Sequence, residues 1–255
     1  AMDLISLIIL AIIEGATEFL PVSSTGHLIL AASISNIPQT DFVKSLELSL
    51  QFGSILSVVI SYWKLLLDWK ILKRLAVAFV PTGIIGLMLY RFFKEVLLGN
   101  QQIVLWALLL GGAFIVLFEL LYHERSTIDD LSKIPYKHCL LIGICQTISI
   151  IPGVSRSAPT IIAGLALGMK RKTIVLFSFL LAVPTMIAAS GFYLWNSAGT
   201  FSLSQVDTLL IGFVTSFLVA LVAIRLFLGY VAKNNFIPFG IYRIILVVVF
   251  YLFVI

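Results

Sequence analysis

Residues 14–27 read E-G-A-T-E-F-L-P-V-S-S-T-G-H and interrupt a part of the chain that is otherwise almost entirely apolar. They place two carboxylates, several hydroxyls and one imidazole between the apolar segments 4–13 and 28–34. Ionisable groups are costly in such surroundings and usually mark function. Another polar segment, P-G-V-S-R-S-A-P-T at residues 152–160, carries the cation that the first one lacks. We therefore expect the first polar stretch (14–27) and the second polar stretch (152–160) to meet and form one site.

The composition of the chain indicates an integral membrane protein. Of its 255 residues, 60% are hydrophobic and only 11% are charged, whereas a soluble domain carries about a quarter charged residues. Apolar runs of helical length recur, and no ten-residue alternating pattern typical of barrel strands is present. The net charge of +5 comes from basic residues in short loops beside apolar runs, which are signals of membrane topology. The predicted fold class is all-α, and no nucleic acid partner is expected.

Two broken helical hairpins are predicted around the polar stretches. Residues 3–35 form a helix, a polar tip at Pro21 and a returning helix. Residues 139–169 repeat this pattern, with the break at Pro152-Gly153. Each apolar arm is too short to cross a hydrocarbon core about 30 Å thick. Both hairpins are therefore predicted to be re-entrant, a geometry tolerated where protein surrounds the tip.

Longer apolar runs predict six full membrane spans, at 46–63, 75–90 and 103–122 after the first hairpin and at 174–195, 209–230 and 239–255 after the second. The chain is thus predicted to be one transmembrane domain, 1–255, with two pseudo-repeats at 1–122 and 137–255 joined by a polar loop at 123–136. The odd number of crossings in the first repeat inverts the second. Inverted repeats with broken helices near the membrane midplane are a recurring transporter architecture.

The distribution of Lys and Arg predicts the orientation. Loops on one side carry eleven of them, namely Lys64, Lys70, Lys73, Arg74, Arg125, Lys133, Lys137, Lys170, Arg171, Lys172 and Lys233. The other side carries three, Lys44, Arg91 and Lys94. Because basic loops stay in the cytoplasm, both termini and the mouth of the first hairpin are predicted to face outward.

Glu14 and Glu18 are four residues apart, so they lie on one face of a helix. Two carboxylates in an apolar setting disfavour each other's charge unless a cation lies between them. We interpret the pair as a site for a divalent cation, Mg2+ or Ca2+, that would also contact phosphate oxygens. The alternative is a structural pair that is protonated or tied to Arg156.

Ser23, Ser24, Thr25 and His27 follow the helix break. Ser24 and His27 are three residues apart, close enough on a helical turn for the imidazole to take the proton of the hydroxyl, as in nucleophilic catalysis. His27 could instead protonate a leaving group, act as the nucleophile itself, or be structural. Ser23 and Thr25 are candidates for binding substrate, although hydroxyls at a broken helix could simply satisfy freed backbone groups.

The second polar stretch predicts an anion site. A helix that starts near Ser157 would direct its N-terminal amides towards the tip, and Arg156 adds planar donors suited to phosphate oxygens. Arg156 could also be the counter-ion of the two glutamates. Further candidate substrate-binding residues are Ser155, Ser157, Thr160 and Gln146, although Gln146 could bond only to a neighbouring helix.

Other polar residues carry weaker signals. Glu47 and Gln51 share a helical face and could line a cavity. Residues near span ends, with side chains expected to reach the membrane surface, are Glu119, Arg225 and Arg243. His123 and His138 are expected at the interface, and the two cysteines, Cys139 and Cys145, are expected to be buried as small apolar residues.

The two motifs, E-G-A-T-E-F-L-P-V-S-S-T-G-H at 14–27 and P-G-V-S-R-S at 152–157 with Thr160, closely resemble those of the bacterial undecaprenyl-diphosphate phosphatase family, also called the bacitracin-resistance family. The resemblance covers nearly the whole chain in length and span order. One departure is visible, because Ala158 and Pro159 stand where the family usually has Gly-Ala. Proline is well tolerated in the first turn of a helix.

The resemblance implies an enzyme of the bacterial inner membrane that hydrolyses undecaprenyl diphosphate to undecaprenyl phosphate and inorganic phosphate, which recycles the lipid carrier of cell-wall synthesis. It also implies dependence on a divalent cation, a site open to the outer face, and homodimers. The functional positions that it implies are Glu14, Glu18, Ser24, His27, Ser155, Arg156 and Thr160. The mechanism we expect has Ser24 attacking the terminal phosphoryl group, His27 acting as base and Arg156 binding that group.

Two other functions compete with this interpretation. The first is a membrane lipid phosphatase of another type, in which a His follows the S-R motif. In this sequence no His follows Ser155-Arg156. The second is a transporter or flippase for a phosphorylated prenyl lipid, which the predicted inverted repeats favour. A transporter needs groups that bind phosphate but needs no nucleophile and base, so the Ser24 and His27 pairing favours the enzyme.

Overall fold

The structure is a computed structural model that describes residues 3–38, 40–92, 100–123, 127–196 and 206–254. Within these ranges the chain forms ten α-helices: α1 (Leu4–Thr17), α2 (Ser24–Ile34), α3 (Asp41–Leu66), α4 (Trp69–Phe92), α5 (Gln101–Leu121), α6 (Tyr136–Gln146), α7 (Ser157–Ala166), α8 (Arg171–Asn196), α9 (Val206–Val231) and α10 (Ile237–Phe253). Single 3₁₀ turns lie at Leu131–Lys133 and Thr147–Ile150. No strand forms in these ranges, apart from one isolated bridge between Ile128 and Met169. The predicted all-α class is confirmed for this part of the chain.

Five of the described helices, α3, α4, α5, α8 and α9, are long and apolar enough to cross a membrane. The four helices beside the polar stretches, α1, α2, α6 and α7, have only 14, 11, 11 and 10 residues. At 1.5 Å per residue, none of them reaches across a hydrocarbon core about 30 Å thick. The sixth predicted span corresponds to α10, which has 17 residues, so six full spans are not confirmed. Lys94, Arg125 and Ile255, which entered the orientation and span predictions, lie outside the described residues.

The long helices begin earlier than the apolar runs predicted, because polar residues form their first turns. At α3, the Thr40 hydroxyl oxygen accepts a hydrogen bond from the Val43 N–H at 3.3 Å. Before α4, the Asp68 carboxylate accepts from the Lys70 N–H at 2.8 Å. Such caps satisfy amides that have no partner within the helix. A prediction that follows hydropathy alone leaves these first turns out.

The two halves of the chain interlock. Helix α1 of the first hairpin packs against α9, and α6 of the second hairpin packs against α4. Helices α3 and α9, α5 and α10, and α3 and α8 also pack together. This reciprocal packing agrees with the predicted pseudo-repeats, which remain a prediction. It places the ends of both hairpins inside the helical bundle.

Helix α8 supplies much of the core. Its residues Phe177, Phe179, Leu180 and Leu181 are completely buried, and Phe179 meets Phe19 of the first polar stretch edge to face at 5.2 Å between ring centroids. Large apolar side chains on the outer helices point outward instead, such as Leu226 with 69% of its surface exposed. Such a surface suits lipid, since soluble proteins rarely expose large apolar patches.

Three residues differ from their predicted surroundings. Glu119 does not reach the membrane surface: it is 8% exposed and accepts two hydrogen bonds from the Arg171 guanidinium and one, at 3.0 Å, from the Phe236 N–H. Arg243 is completely buried. Cys139 is buried as expected, whereas Cys145 is only partly buried. The two charged residues were predicted wrongly because the sequence does not reveal which buried polar groups lie opposite a span end.

Glycines allow the hairpin helices to approach their neighbours closely. A Cβ atom on Gly143 of α6 would lie 2.0 Å from the Ala78 carbonyl oxygen of α4, and one on Gly15 of α1 would lie 2.5 Å from the Ser216 carbonyl oxygen of α9. Both contacts are with backbone, which cannot move aside as a side chain can. Small residues at helix interfaces are typical of membrane proteins. The two hairpins are thus held against opposite halves of the chain by equivalent close contacts.

Gly143→Ala is expected to lower the free energy of unfolding by about 1–3 kcal/mol, because overpacking forces the backbones apart. Gly229→Ala is the matched control, since a Cβ atom there meets nothing within 4 Å and alanine favours the helix. The measurement is the thermal unfolding midpoint of both variants in detergent. Equal midpoints for the two variants would contradict the close packing of α6 on α4.

Candidate functional site

The first and second polar stretches meet inside the bundle, as the sequence predicted. The Ser157 hydroxyl donates to the Leu20 carbonyl oxygen at 2.9 Å. The Arg156 guanidinium contacts the Glu18 carboxylate, with 3.2 Å between Nη2 and Oε1, and lies over the Phe19 ring at 5.7 Å from its centroid. A carboxylate from one hairpin and a guanidinium from the other therefore form one ion pair.

Both helix breaks contain a serine with an unusual backbone conformation. Ser23 has a φ of 71° and Ser155 a φ of 83°, in the left-handed region that few residues other than glycine adopt. Each such residue costs about 1–3 kcal/mol and persists only where its surroundings hold it. Ser23 is also the N-cap of α2, where its hydroxyl oxygen accepts from the Gly26 N–H at 3.3 Å. The strained serines lie directly before Ser24 and Arg156, two residues predicted to act on substrate.

Arg243 of α10 holds both breaks together. Its guanidinium donates to the carbonyl oxygens of Pro21 at 3.4 Å, Gly153 at 2.8 Å and Val154 at 3.0 Å. It also donates to the carbonyl oxygens of Ala107 and Leu108 in α5 at 2.9 and 3.2 Å. Broken helices free carbonyl groups that must find partners where water is absent. Arg243 provides these partners for both polar stretches at once.

A cavity of about 610 Å³ opens beside the ion pair. Seven of the predicted site residues line it, Glu18, Ser23, Ser24, Thr25, Gln146, Ser155 and Arg156, as does Gln51. Its other walls are mostly apolar and come from α4 and α8, with Phe79, Leu87, Met186 and Phe192 among the lining residues. A cavity that is polar at one end and apolar along its walls suits a ligand with a charged head and a hydrocarbon chain.

Ser24 and Glu18 form the shortest contact at the polar end of the cavity. The Ser24 hydroxyl donates to Glu18 Oε2 at 2.5 Å, while Glu18 Oε1 accepts from Arg156. The two side chains are 7% exposed. One carboxylate thus connects the candidate nucleophile to the candidate phosphate-binding residue.

His27 does not pair with Ser24, contrary to the sequence prediction. Its Nδ1 lies 2.7 Å from the Ser23 carbonyl oxygen, and its Nε2 lies 2.7 Å from the Tyr242 hydroxyl. The ring does not line the cavity. The spacing of three residues allows the predicted pair, but the turn at Ser23 directs the Ser24 hydroxyl to Glu18 instead.

Glu14 lies deeper than Glu18. It is completely buried, and neither of its carboxylate oxygens has a hydrogen-bond partner. Buried charges are normally paired or bound to a metal, so two orphaned oxygens one helical turn from Glu18 fit the predicted divalent cation. No group of three or more His, Cys, Asp and Glu side chains suited to a metal occurs in the described ranges. The donors available are thus carboxylates in small number, as is common for Mg2+ bound together with phosphates.

The remaining predicted residues of the second half form a supporting network. Thr160 donates to Gln146 Oε1 at 3.3 Å, and Gln146 Nε2 donates to the Thr82 hydroxyl at 3.3 Å. Ser157 lies 3.1 Å from the Ser155 hydroxyl. Ser157 and Thr160 are completely buried and do not line the cavity. Their hydroxyls therefore bond to other protein groups, and their predicted contact with substrate stays a prediction.

Sequence reasoning missed several residues of the site. Thr82 and Thr185 line the cavity, and each follows a proline within a long helix, in the tripeptide V-P-T at 80–82 and 183–185. This repeated tripeptide is a signal that could have found them. For Tyr242 the sequence offers no comparable signal, because α10 is otherwise an ordinary apolar helix. Of the two candidates on α3, Gln51 lines the cavity and Glu47 does not.

Comparisons with known proteins identify the family of the chain. A family model described as bacitracin resistance protein BacA matches residues 7–249. An undecaprenyl-diphosphatase of Persephonella marina is 49% identical over 255 residues, which cover 99% of this chain and 100% of that protein. Proteins of the same name from Sulfurihydrogenibium sp. and Aquifex aeolicus are each 46% identical, over 98% and 95% of this chain and 99% and 95% of their own lengths.

Arg243→Met is expected to lower the free energy of unfolding by at least about 3 kcal/mol, because each buried acceptor left without a partner costs about 1–3 kcal/mol. The cavity should also lose its shape, so ligand binding should fall. Arg225→Met is the matched control, since Arg225 lies on an exposed face of α9. Thermal unfolding in detergent measures the difference, and a variant at Arg243 as stable as the control would contradict the role of this residue.

Proposed function

The chain belongs to the bacitracin resistance protein BacA family, and on that premise we propose that it is a membrane phosphatase that hydrolyses undecaprenyl diphosphate to undecaprenyl phosphate and inorganic phosphate. The observation that carries the proposal is the convergence of the Arg156 guanidinium, the Ser24 hydroxyl and the Glu18 carboxylate at the polar end of an otherwise apolar cavity. This reaction recycles the lipid carrier that bacterial cell-wall synthesis uses.

The second polar stretch binds the diphosphate in this proposal. Arg156 Nη1 is held by the Ser178 carbonyl oxygen at 2.9 Å, which fixes the guanidinium plane at the cavity wall. No side chain caps the first turn of α7, so its amides add partial positive charge near the same wall. Ser155 and Gln146 supply further hydrogen-bonding groups there. For phosphoryl transfer, positioning and charge stabilisation of this kind supply most of the catalysis.

Ser24 is the nucleophile in this proposal, and Glu18 is its base. The Ser24 oxygen attacks the terminal phosphorus, its proton passes to Glu18 Oε2, and the bond from that phosphorus to the bridging oxygen breaks to release undecaprenyl phosphate. Water then attacks the phosphoserine, which releases inorganic phosphate and restores the hydroxyl. The 2.5 Å contact between Ser24 and Glu18 supports this assignment, and the base is therefore Glu18 rather than His27.

A divalent cation, Mg2+ or Ca2+, is the proposed cofactor, with Glu14 and Glu18 as the residues that would hold it. When bound, it would supply positive charge that offsets the charge of the diphosphate. The support is the pair of orphaned Glu14 oxygens. Without a cation, an ionised Glu14 would be a buried charge whose oxygens have no hydrogen-bond partner.

We propose that the two hairpins are re-entrant, that α10 completes six crossings, and that both termini and the mouth of the cavity face outward. The short hairpin helices and the excess of Lys and Arg on the other side support this placement. The homodimer that the family resemblance implies stays a prediction.

Purified protein in detergent is expected to release phosphate from undecaprenyl diphosphate, and Ser24→Ala should lower the rate at least about a hundredfold. Ser54→Ala is the matched control, because the Ser54 hydroxyl is buried without a partner and away from the cavity. With a labelled terminal phosphate, rapid quenching should trap label on Ser24. No phosphate release from the parent protein, together with lipid movement in vesicles, would favour the flippase.

Removal of divalent cations with a chelator is expected to abolish phosphate release, and Mg2+ or Ca2+ should restore it. Binding of the ion to the folded protein alone should also raise the thermal midpoint. Glu14→Gln should weaken both effects, whereas Asp129→Asn, at an exposed carboxylate that does not line the cavity, should retain them. An unchanged midpoint shift in the Glu14 variant would contradict its proposed role as a ligand.

A further inference from the structure

The phosphatase mechanism leaves the contacts of His27 without an explanation. His27 is 8% exposed, and both of its ring nitrogens are engaged. Because a carbonyl oxygen can only accept, the 2.7 Å contact with the Ser23 carbonyl requires that Nδ1 carries a proton. The Nδ1 atom therefore cannot take a proton from any nucleophile.

The other ring nitrogen faces Tyr242. Nε2 lies 2.7 Å from the tyrosine hydroxyl, and the two rings stack with an interplanar angle of 5° and centroids 5.5 Å apart. The next residue, Arg243, brings a buried positive charge whose partners are all neutral carbonyl groups. A second buried cation beside it is unfavourable, so the ring is neutral and Nε2 accepts from the Tyr242 hydroxyl.

These contacts end on the strained part of the first polar stretch. The Ser23 carbonyl oxygen accepts from the His27 ring and also from the His27 main-chain N–H at 3.1 Å. Arg243 holds the Pro21 carbonyl oxygen on the other side of Ser23. Two adjacent residues of α10 thus fix the backbone before and after the turn, one directly and one through His27.

We propose that Tyr242 and His27 form a positioning pair: Tyr242 donates to Nε2, Nδ1 donates to the Ser23 carbonyl, and the pair holds Ser23 in the left-handed conformation that directs Ser24 to Glu18. In this arrangement His27 never contacts the reacting atoms, and Tyr242 is a functional residue although it lies outside the cavity. The readout of turnover rests on the proposed phosphatase function, whereas the state of the ring does not.

Two amide substitutions separate positioning from proton transfer. The Nδ2 atom of asparagine occupies about the place of histidine Nδ1, so His27→Asn keeps a donor for the Ser23 carbonyl but cannot accept a proton. Glutamine places its amide nitrogen near Nε2 instead. We expect His27→Asn to keep kcat within about tenfold of the parent and His27→Gln to lose at least about a hundredfold. Equal loss in both folded variants would overturn the proposal, because a catalytic base or nucleophile tolerates neither.

Tyr242→Phe tests the other member of the pair. It should lower kcat about tenfold and leave KM unchanged. The control is Tyr251→Phe, because Tyr251 is on the same helix but it is Tyr242 that stacks on the His27 ring and bonds to it. A parent-like kcat in the Tyr242 variant would contradict the proposal.

The ring state is measured independently of activity. The chain has three histidines, so His123→Gln with His138→Gln leaves His27 as the one source of signal in protein labelled with 15N-histidine. The expected spectrum is that of a neutral ring with its proton on Nδ1, with the Nε2 signal shifting in Tyr242→Phe. A charged ring, or a proton on Nε2 alone, would overturn the proposal. Protein that releases no phosphate but shows the expected spectrum would refute the phosphatase and leave the pair standing.

Discussion

The site depends on how the carbonyl groups of two broken helices are satisfied away from water. A helix that stops inside a bundle leaves its last carbonyls without partners, and each one left unpaired in an apolar setting is costly. Here a single guanidinium, Arg243, donates to carbonyls of both polar stretches and of α5. Because its partners come from three separate segments, the breaks cannot separate without depriving this buried charge of hydrogen-bond partners. The same interaction that makes the breaks tolerable therefore also brings them together.

The breaks are useful because they release side chains from the geometry of a helix. On a continuous helix Ser24 would follow the direction set by its neighbours, but the left-handed turn at Ser23 directs it to Glu18. At the second break, the turn at Ser155 places Arg156 before the start of α7, where it reaches across to the same carboxylate. The strain at the two serines is offset by the contacts that hold them. Local strain here creates the ion pair and the hydroxyl contact together.

The sequence predicted the fold class, the two breaks and their meeting, because each rests on a local feature that is energetically unfavourable in an apolar segment unless it has a function. Charged residues flanked by apolar runs mark a site, whichever way the helices pack. A proline marks a break where serines and a glycine follow it, as at Pro21 and Pro152, whereas Pro81 and Pro184 lie within continuous helices. The roles of Arg243, Glu119 and His27 could not be predicted in this way. Each depends on which group lies opposite after folding, and the spacing of Ser24 and His27 fits either a catalytic pair or the observed separation. Hydropathy also placed the starts of the long helices too late, because their first turns contain polar residues.

The division of tasks among the helices follows from these constraints. Glycines at 15 and 143 let the hairpins lie close against α9 and α4, so the tips reach the interior at a fixed depth. Helix α8 supplies a rigid apolar core beside them, and together with α4 it forms the apolar walls of the cavity. Helix α10 contributes no cavity residue in the described ranges. Its Arg243 nevertheless bonds to the backbone of both tips, and its Tyr242 contacts the His27 ring, which bonds to the Ser23 carbonyl. Helix α10 thus fixes the geometry of the cavity without lining it, because the proposed chemistry depends on two turns that lie outside regular secondary structure.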